Sequence, residues 1–214
     1  MEKTVHHLQC CLVLDADQCV QEDKMLAIAK ATLLSGITMI QLRMKSWPKK
    51  RCIKMAKAIK DLLSDTNIPL IINDYVDVAI EVNADGIHVG QQDLPPEQAR
   101  SLIGPNKWLG LSIANKKELE AAPKSLVDYF GIGPVFHTTS KPDATLPIGI
   151  KGLIEMVDLA KPVPVVAIGG IGMENIKDLL PHVAGVAIIS AICNQINPSQ
   201  AAYELAKACK EKNQ

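Results

Sequence analysis

Residues 127–143 read VDYFGIGPVFHTTSKPD. The apolar run 127–132 predicts a buried strand, and Gly131, Gly133 and Pro134 then stop any helix or extended ladder from continuing. Thr138, Thr139, Ser140 and Lys141 follow, so a loop carries hydroxyls, small side chains and one cation. Hydroxyls and backbone N–H groups can point at phosphate oxygens while lysine acts as a compact positive charge. Taken alone, the loop reads equally well as ordinary polar surface. What settles the fold is that this unit, an apolar run, a polar loop and then an amphipathic helix, recurs along the chain.

Working outward, apolar runs at 8–14, 37–42, 69–72, 85–89, 108–112, 163–168 and 183–189 predict seven further strands. Between them lie helical patterns. In 24–34, Leu26, Ala27, Lys30, Ala31 and Leu34 share one period, and Gly36 closes that helix. Pro48 opens the next, with Ile53, Ala56, Ile59 and Leu63 on one face. Shorter helices are predicted over 77–82, 95–103, 116–122, 152–160 and 173–180, and a closing one over 198–210. The strands are near-continuously apolar, the pattern of parallel strands covered on both faces. Eight strand–helix units without a linker predict one domain over 1–214, a TIM (β/α)8 barrel. An open doubly wound sheet is the competitor, and the count of eight favours the barrel.

Composition narrows the function. The 214 residues are 48% hydrophobic and 21% charged, with 23 basic and 23 acidic side chains, so no basic surplus points to nucleic acid. Aromatics at 3% leave no base-stacking platform. Cysteines at 10, 11, 19, 52, 193 and 209 form no C-x-x-C pair, which fits free thiols in a cytoplasmic protein. No signal-peptide pattern and no apolar run near ~20 residues is present, so no membrane association is expected. His6 and His7 are expected at the surface rather than on a metal.

A barrel places its chemistry after the C-terminal ends of its strands. Gln41, Arg43 and Lys45 stand there, two apart, so an extended segment aims all three to one side. A rim salt-bridge cluster fits them as well. Asn73 and Asp74 follow the third strand, and Gln91, Gln92 and Asp93 the fourth. Each aspartate could cap the following helix, or the pair could hold a magnesium ion, which takes one or two carboxylates plus substrate phosphates. Ser112 ends the fifth strand, Gly169-Gly170 follow the seventh and Ser190-Ala191 the eighth. Glycine before a helix N-terminus at that place is the usual phosphate cup of the fold, although a plain tight turn would look the same. His88 and His137 are expected to be structural. No Ser-His-Asp or Cys-His arrangement emerges, and the set points to a magnesium-bound, phosphate-rich substrate.

QLRMK, IINDYVDVA, ADGIHVGQQDLP, GIGPVFHTTSKPDA, VVAIGGI and GVAIISAI, in this order over roughly 8–202, closely resemble the thiamine-phosphate synthase family. The resemblance implies a TIM barrel that joins 4-amino-2-methyl-5-hydroxymethylpyrimidine diphosphate to a thiazole phosphate, releasing pyrophosphate, with Mg²⁺ as cofactor. It implies small-molecule substrates and is compatible with a homo-oligomer. By motif, Gln41, Arg43, Lys45 and Asn73 would bind the pyrophosphate of the pyrimidine substrate, and Asp74 and Asp93 would hold Mg²⁺. Ser112 would touch the pyrimidine side. Thr138 and Ser140 would bind the thiazole phosphate and Lys141 would meet pyrophosphate, with Arg43, Lys45, Ser112 and Lys141 as the catalytic set. Gly170, Ile189 and Ser190 would complete the phosphate cup. The chain departs from the family pattern at Cys11, Leu14, His137 and Ser140. A thiazole tautomerase on the same barrel would need neither the Asp74/Asp93 pair nor Lys45 and Lys141. A non-catalytic phosphate-binding paralogue would not need the complete charge set.

Overall fold

The eight apolar runs pair in sequence order into a closed, all-parallel barrel, β1 returning to β8. The strands are β1 Cys10–Asp15, β2 Met39–Arg43, β3 Leu70–Asn73, β4 Gly86–Val89, β5 Trp108–Ile113, β6 Tyr129–Ile132, β7 Val165–Ile168 and β8 Gly185–Ile188. Around them run α1 Ala16–Cys19, α2 Glu22–Thr32, α3 Lys49–Leu62, α4 Val76–Glu81, α5 Pro96–Ile103, α6 Lys116–Ala121, α7 Gly149–Ala160, α8 Ile176–Leu179, α9 Ser190–Cys193 and α10 Pro198–Glu211. This computed structural model describes residues 3–19, 21–140 and 145–211. Lys141, expected to meet pyrophosphate, lies outside the described residues.

Closure divides the apolar side chains into two cores, because successive residues of a strand face opposite sides. Inward go Cys11, Val13, Met39, Ile71, Trp108, Tyr129, Val166 and Ala187, which fill the barrel as one cluster. Outward go Leu12, Leu14, Ile40, Leu42, Leu70, Ile72, Leu109 and Leu111, which meet the helices in a second cluster. Each large aliphatic side chain so buried contributes about 1.5–3 kcal/mol relative to exposure. Of the two departures on β1, Leu14 therefore faces the helices, while Cys11 sits inside the barrel with its Sγ 3.7 Å from Met39 Sδ.

Some boundaries differ from the sequence expectation. A 3₁₀ turn, Val5–Leu8, precedes β1, so the strand starts at Cys10 and ends on a buried aspartate. Pro48 serves as the N-cap of α3 rather than its first residue. The helix expected over 173–180 is reduced to Ile176–Leu179. The preceding residues are spent on a turn in which Asn175 Oδ1 accepts from Gly172 N at 3.0 Å and its Nδ2 donates to the Gly170 carbonyl. All six cysteines are buried free thiols, and among the described residues no helix is long and apolar enough to cross a membrane.

Candidate active site

A cavity of about 500 Å³ opens at the C-terminal end of the barrel, the face that parallel strand ends and their loops build in this fold. Its wall includes Arg43, Lys45, Asn73, Asp74, Asp93, Ser112, Thr138 and Ser140, drawn from the ends of β2 to β6. A smaller hollow beside it is lined by Gly170, Ile171 and Ser190 together with Thr138, Ser140, Gly169 and Ile189. The last four line both spaces, so they form one continuous site.

The β2 side is more tied down than the sequence implies. Arg43 is buried, and its Nη1 lies 2.6 Å from Asp15 Oδ2 and 3.4 Å from Asp17 Oδ2. Gln41 does not reach the cavity wall; its Nε2 donates to Asn73 Oδ1 at 2.8 Å and so orients the asparagine that does. Lys45, nearly half exposed, pairs with Asp74 at 3.2 Å.

Neither aspartate caps a helix. The N-caps of α4 and α5 are Tyr75 and Pro95, without side-chain cap bonds. Instead Asp93 Oδ2 accepts from Gly90 N at 2.7 Å, which folds the β4 loop so that its carboxylate meets that of Asp74. Asp74 is held with φ 65, a left-handed conformation that Asp tolerates better than most residues, and its N–H donates to the His88 carbonyl. Burial, then the Asp93 carboxyl beside it, push Asp74 up to about 6 against the pull of Lys45. Two carboxylates brought into contact on a cavity wall form the kind of oxygen site that a hard divalent cation neutralises. The donor set therefore fits magnesium. Among the described residues no group of three or more His, Cys, Asp or Glu gathers, so substrate and water oxygens would complete the shell.

On the opposite side the hollow expected to cup a phosphate takes its shape from glycine. Gly169 and Gly170 have φ 102 and 64, and a Cβ on Gly170 would sit 2.5 Å from the His137 carbonyl oxygen. Their open backbone lies beside the start of α9 at Ser190. Ser140, buried, is fixed by its N–H donating to Thr138 Oγ1 at 3.2 Å. His137 is exposed and lines neither space.

Sequence reasoning missed three things: the Asp15–Arg43 pair, the Gln41–Asn73 bond, and a buried line from Tyr129 through His88 to Ser112. The one available signal was an aspartate closing an otherwise apolar first strand.

Similarity to known proteins extends over most of the chain. The model of a family described as thiamine monophosphate synthase matches residues 10–192. A thiamine-phosphate synthase of Vibrio campbellii is 45% identical over 179 residues, covering 83% of this chain and 87% of that one. One from Methanobrevibacter smithii is 40% identical over 212 residues, covering 98% of this chain and 100% of the relative. The solved thiamine phosphate pyrophosphorylase from Pyrococcus furiosus superposes with a TM-score of 0.84 at 32% identity, covering 97% of this chain and 98% of that one. A 3-hexulose-6-phosphate synthase, at 16% identity and a TM-score of 0.70, shares the fold.

Proposed function

The chain belongs to the thiamine monophosphate synthase family, and on that premise we propose how its own residues join the pyrimidine diphosphate to the thiazole phosphate. The observation that carries the reading is a single continuous site with two ends whose polar side chains and open backbone suit anions. Arg43, Lys45, Asn73 and the Asp74/Asp93 pair stand at one end, and Thr138, Ser140, Gly170, Ile189 and Ser190 at the other.

At the first end Arg43, Lys45 and Asn73 bind the pyrophosphate, and Lys141, outside the described residues, is assigned to the same group by the family motif alone. A magnesium ion held by Asp74 and Asp93 would supply further neutralisation of the leaving group. In a water-poor cavity, removing one such preorganised donor typically costs about 2.7–4 kcal/mol of transition-state stabilisation. At the other end Thr138 and Ser140 hydroxyls and the Gly170–Ser190 backbone hold the thiazole phosphate, so that its ring nitrogen faces the pyrimidine methylene carbon. Ser112 contacts the pyrimidine. Pyrophosphate leaves with the bonding electrons and the electron-rich aminopyrimidine supports the cationic carbon. The thiazole nitrogen's lone pair then forms the new C–N bond. No protein nucleophile is needed, and juxtaposing two substrates supplies much of the remaining acceleration.

The test is direct: purified protein, both substrates and Mg²⁺, with thiamine phosphate and pyrophosphate measured in equal amounts. Binding of thiazole phosphate without any thiamine phosphate formed would overturn the reading in favour of a non-catalytic binder.

A further inference from the structure

Inside the barrel, beneath the cavity wall, three polar side chains from β6, β4 and β5 form a line. Tyr129 Oη lies 3.0 Å from His88 Nδ1, and His88 Nε2 lies 2.8 Å from Ser112 Oγ. Tyr129 is 2% exposed and His88 6%, whereas Ser112 reaches the cavity. The slot for the imidazole is made by two glycines. A Cβ on Gly110 would sit 2.3 Å from His88 Nδ1, and one on Gly131 would sit 3.0 Å from His88 Cε1. The ring also packs on Tyr129 with centroids 5.4 Å apart.

Hydrogen-bond arithmetic gives this line a direction. Burial, helped by the Cys11 thiol and Asp128, pushes the Tyr129 phenol well above its ordinary value, so it keeps its proton. A buried hydroxyl proton must find an acceptor, and among the described residues His88 Nδ1 stands at hydrogen-bond distance from Tyr129 Oη. The imidazole proton is then on Nε2, and Nε2–H donates to Ser112 Oγ. With its oxygen already accepting from behind, Ser112 has its own O–H left to point into the cavity.

We propose that His88 and Tyr129 are positioning residues that fix Ser112 as a hydrogen-bond donor toward the bound pyrimidine, selecting the ring edge that presents a nitrogen acceptor rather than the exocyclic amino group. This rests on the reading above that the pyrimidine lies beside Ser112. The two faces of an aminopyrimidine differ in donor and acceptor pattern. A serine free to rotate would accept from the amino group as readily as donate to a ring nitrogen, so fixing its sense fixes the orientation of the ring and of the methylene carbon.

A double-mutant cycle tests the relay. Tyr129→Phe removes one oxygen and should lower kcat/KM for the pyrimidine diphosphate roughly five- to tenfold, with KM for the thiazole phosphate unchanged. In a Ser112→Ala background the same change should cost nothing further, since Tyr129 acts through Ser112. His88→Gln, whose amide can still donate to Ser112, should retain severalfold more activity than His88→Leu. Additive losses from Tyr129→Phe and Ser112→Ala, or equal activity in the two His88 variants, would overturn the proposal, because a role in packing alone predicts those results. Non-additive losses that fall on the thiazole phosphate instead would keep the relay and overturn the placement of the pyrimidine.

Discussion

Arg43 Nη1 lies 2.6 Å from Asp15 Oδ2, and the two residues are also register partners on adjacent strands, both buried beneath the cavity. A guanidinium clamped this way presents its remaining N–H groups to the cavity in one orientation, and its side-chain entropy is already spent before ligand arrives. Asp15→Asn keeps the shape but removes the charge, leaving Arg43 as a buried cation with only the more distant, half-exposed Asp17. The expected result is a stability loss of about 3 kcal/mol in urea unfolding. A rise of tenfold or more in KM for the pyrimidine diphosphate should accompany it. Unchanged binding of that substrate would show that Arg43 is held adequately by the barrel alone.

The Asp74/Asp93 contact makes a pH statement. Asp74 moves from an ordinary 3.8 to about 6 in the folded protein. Between those values the folded state holds a proton that the unfolded chain has lost. Asp74's contribution to the stability of the metal-free protein should therefore be fully present below about pH 4, fall as pH rises to about 6, and be gone above it, whereas the paired Glu22 and Asp77 act in the opposite sense at low pH. Asp74→Asn should flatten this slope, which thermal unfolding across pH 4–7 would read.

The same carboxyl should govern affinity for the proposed magnesium ion. A ligand must be deprotonated to bind, so Mg²⁺ affinity measured by calorimetry should fall up to about tenfold per unit below about pH 6 and be level above it. Asp74→Asn and Asp93→Asn should each abolish most turnover and raise the Mg²⁺ requirement. A normal metal requirement in either variant would remove that residue from the proposed ligand set.

Gly170→Ala tests the phosphate cup. Its φ of 64 disfavours a side chain, and the new Cβ would meet the His137 carbonyl at 2.5 Å and Phe136 Cβ at 2.9 Å. The turn must shift, and the backbone donors of the hollow with it. KM for thiazole phosphate should rise about tenfold or more, the worth of one charge-assisted hydrogen bond, while that for the pyrimidine diphosphate stays near normal.

Gly110→Ala tests the packing of the barrel interior. The added methyl would lie 2.3 Å from both His88 Nδ1 and Tyr129 Cζ, against 3.0 Å to the nearest atom for Gly131→Ala. Overpacking of this kind costs about 1–3 kcal/mol. Thermal unfolding should rank Gly110→Ala below Gly131→Ala, and both below the parent.

The fold was legible because its signals are local. An apolar run, a glycine or proline stop and a 3.6-residue period each depend on neighbours in sequence, and eight repetitions leave one economical closure. That closure also made Asn73, Asp74, Asp93, Ser112 and Gly170 readable as residues lining the rim cavity, since a parallel barrel sends every strand's C-terminal end to the same rim. The helix after β7 was overestimated because the Gly169–Asn175 turn satisfies its backbone through Asn175 rather than through helix bonds.

Partnership was not legible. Asp15 and Arg43 are 28 residues apart, Gln41 and Asn73 are 32 apart, and His88 and Tyr129 are 41 apart. Nothing local distinguishes an Arg43 free to meet a ligand from one clamped beneath it, or an Asp93 that caps a helix from one turned back on Gly90. The sequence by itself determined which residue types reach the rim, since strand direction and side-chain alternation are properties of the chain. Which of them touch, which are buried and which carboxyl keeps its proton to a higher pH was decided only when the barrel closed, because hydrogen bonds and Coulomb interactions depend on distance across strands and on exclusion of water.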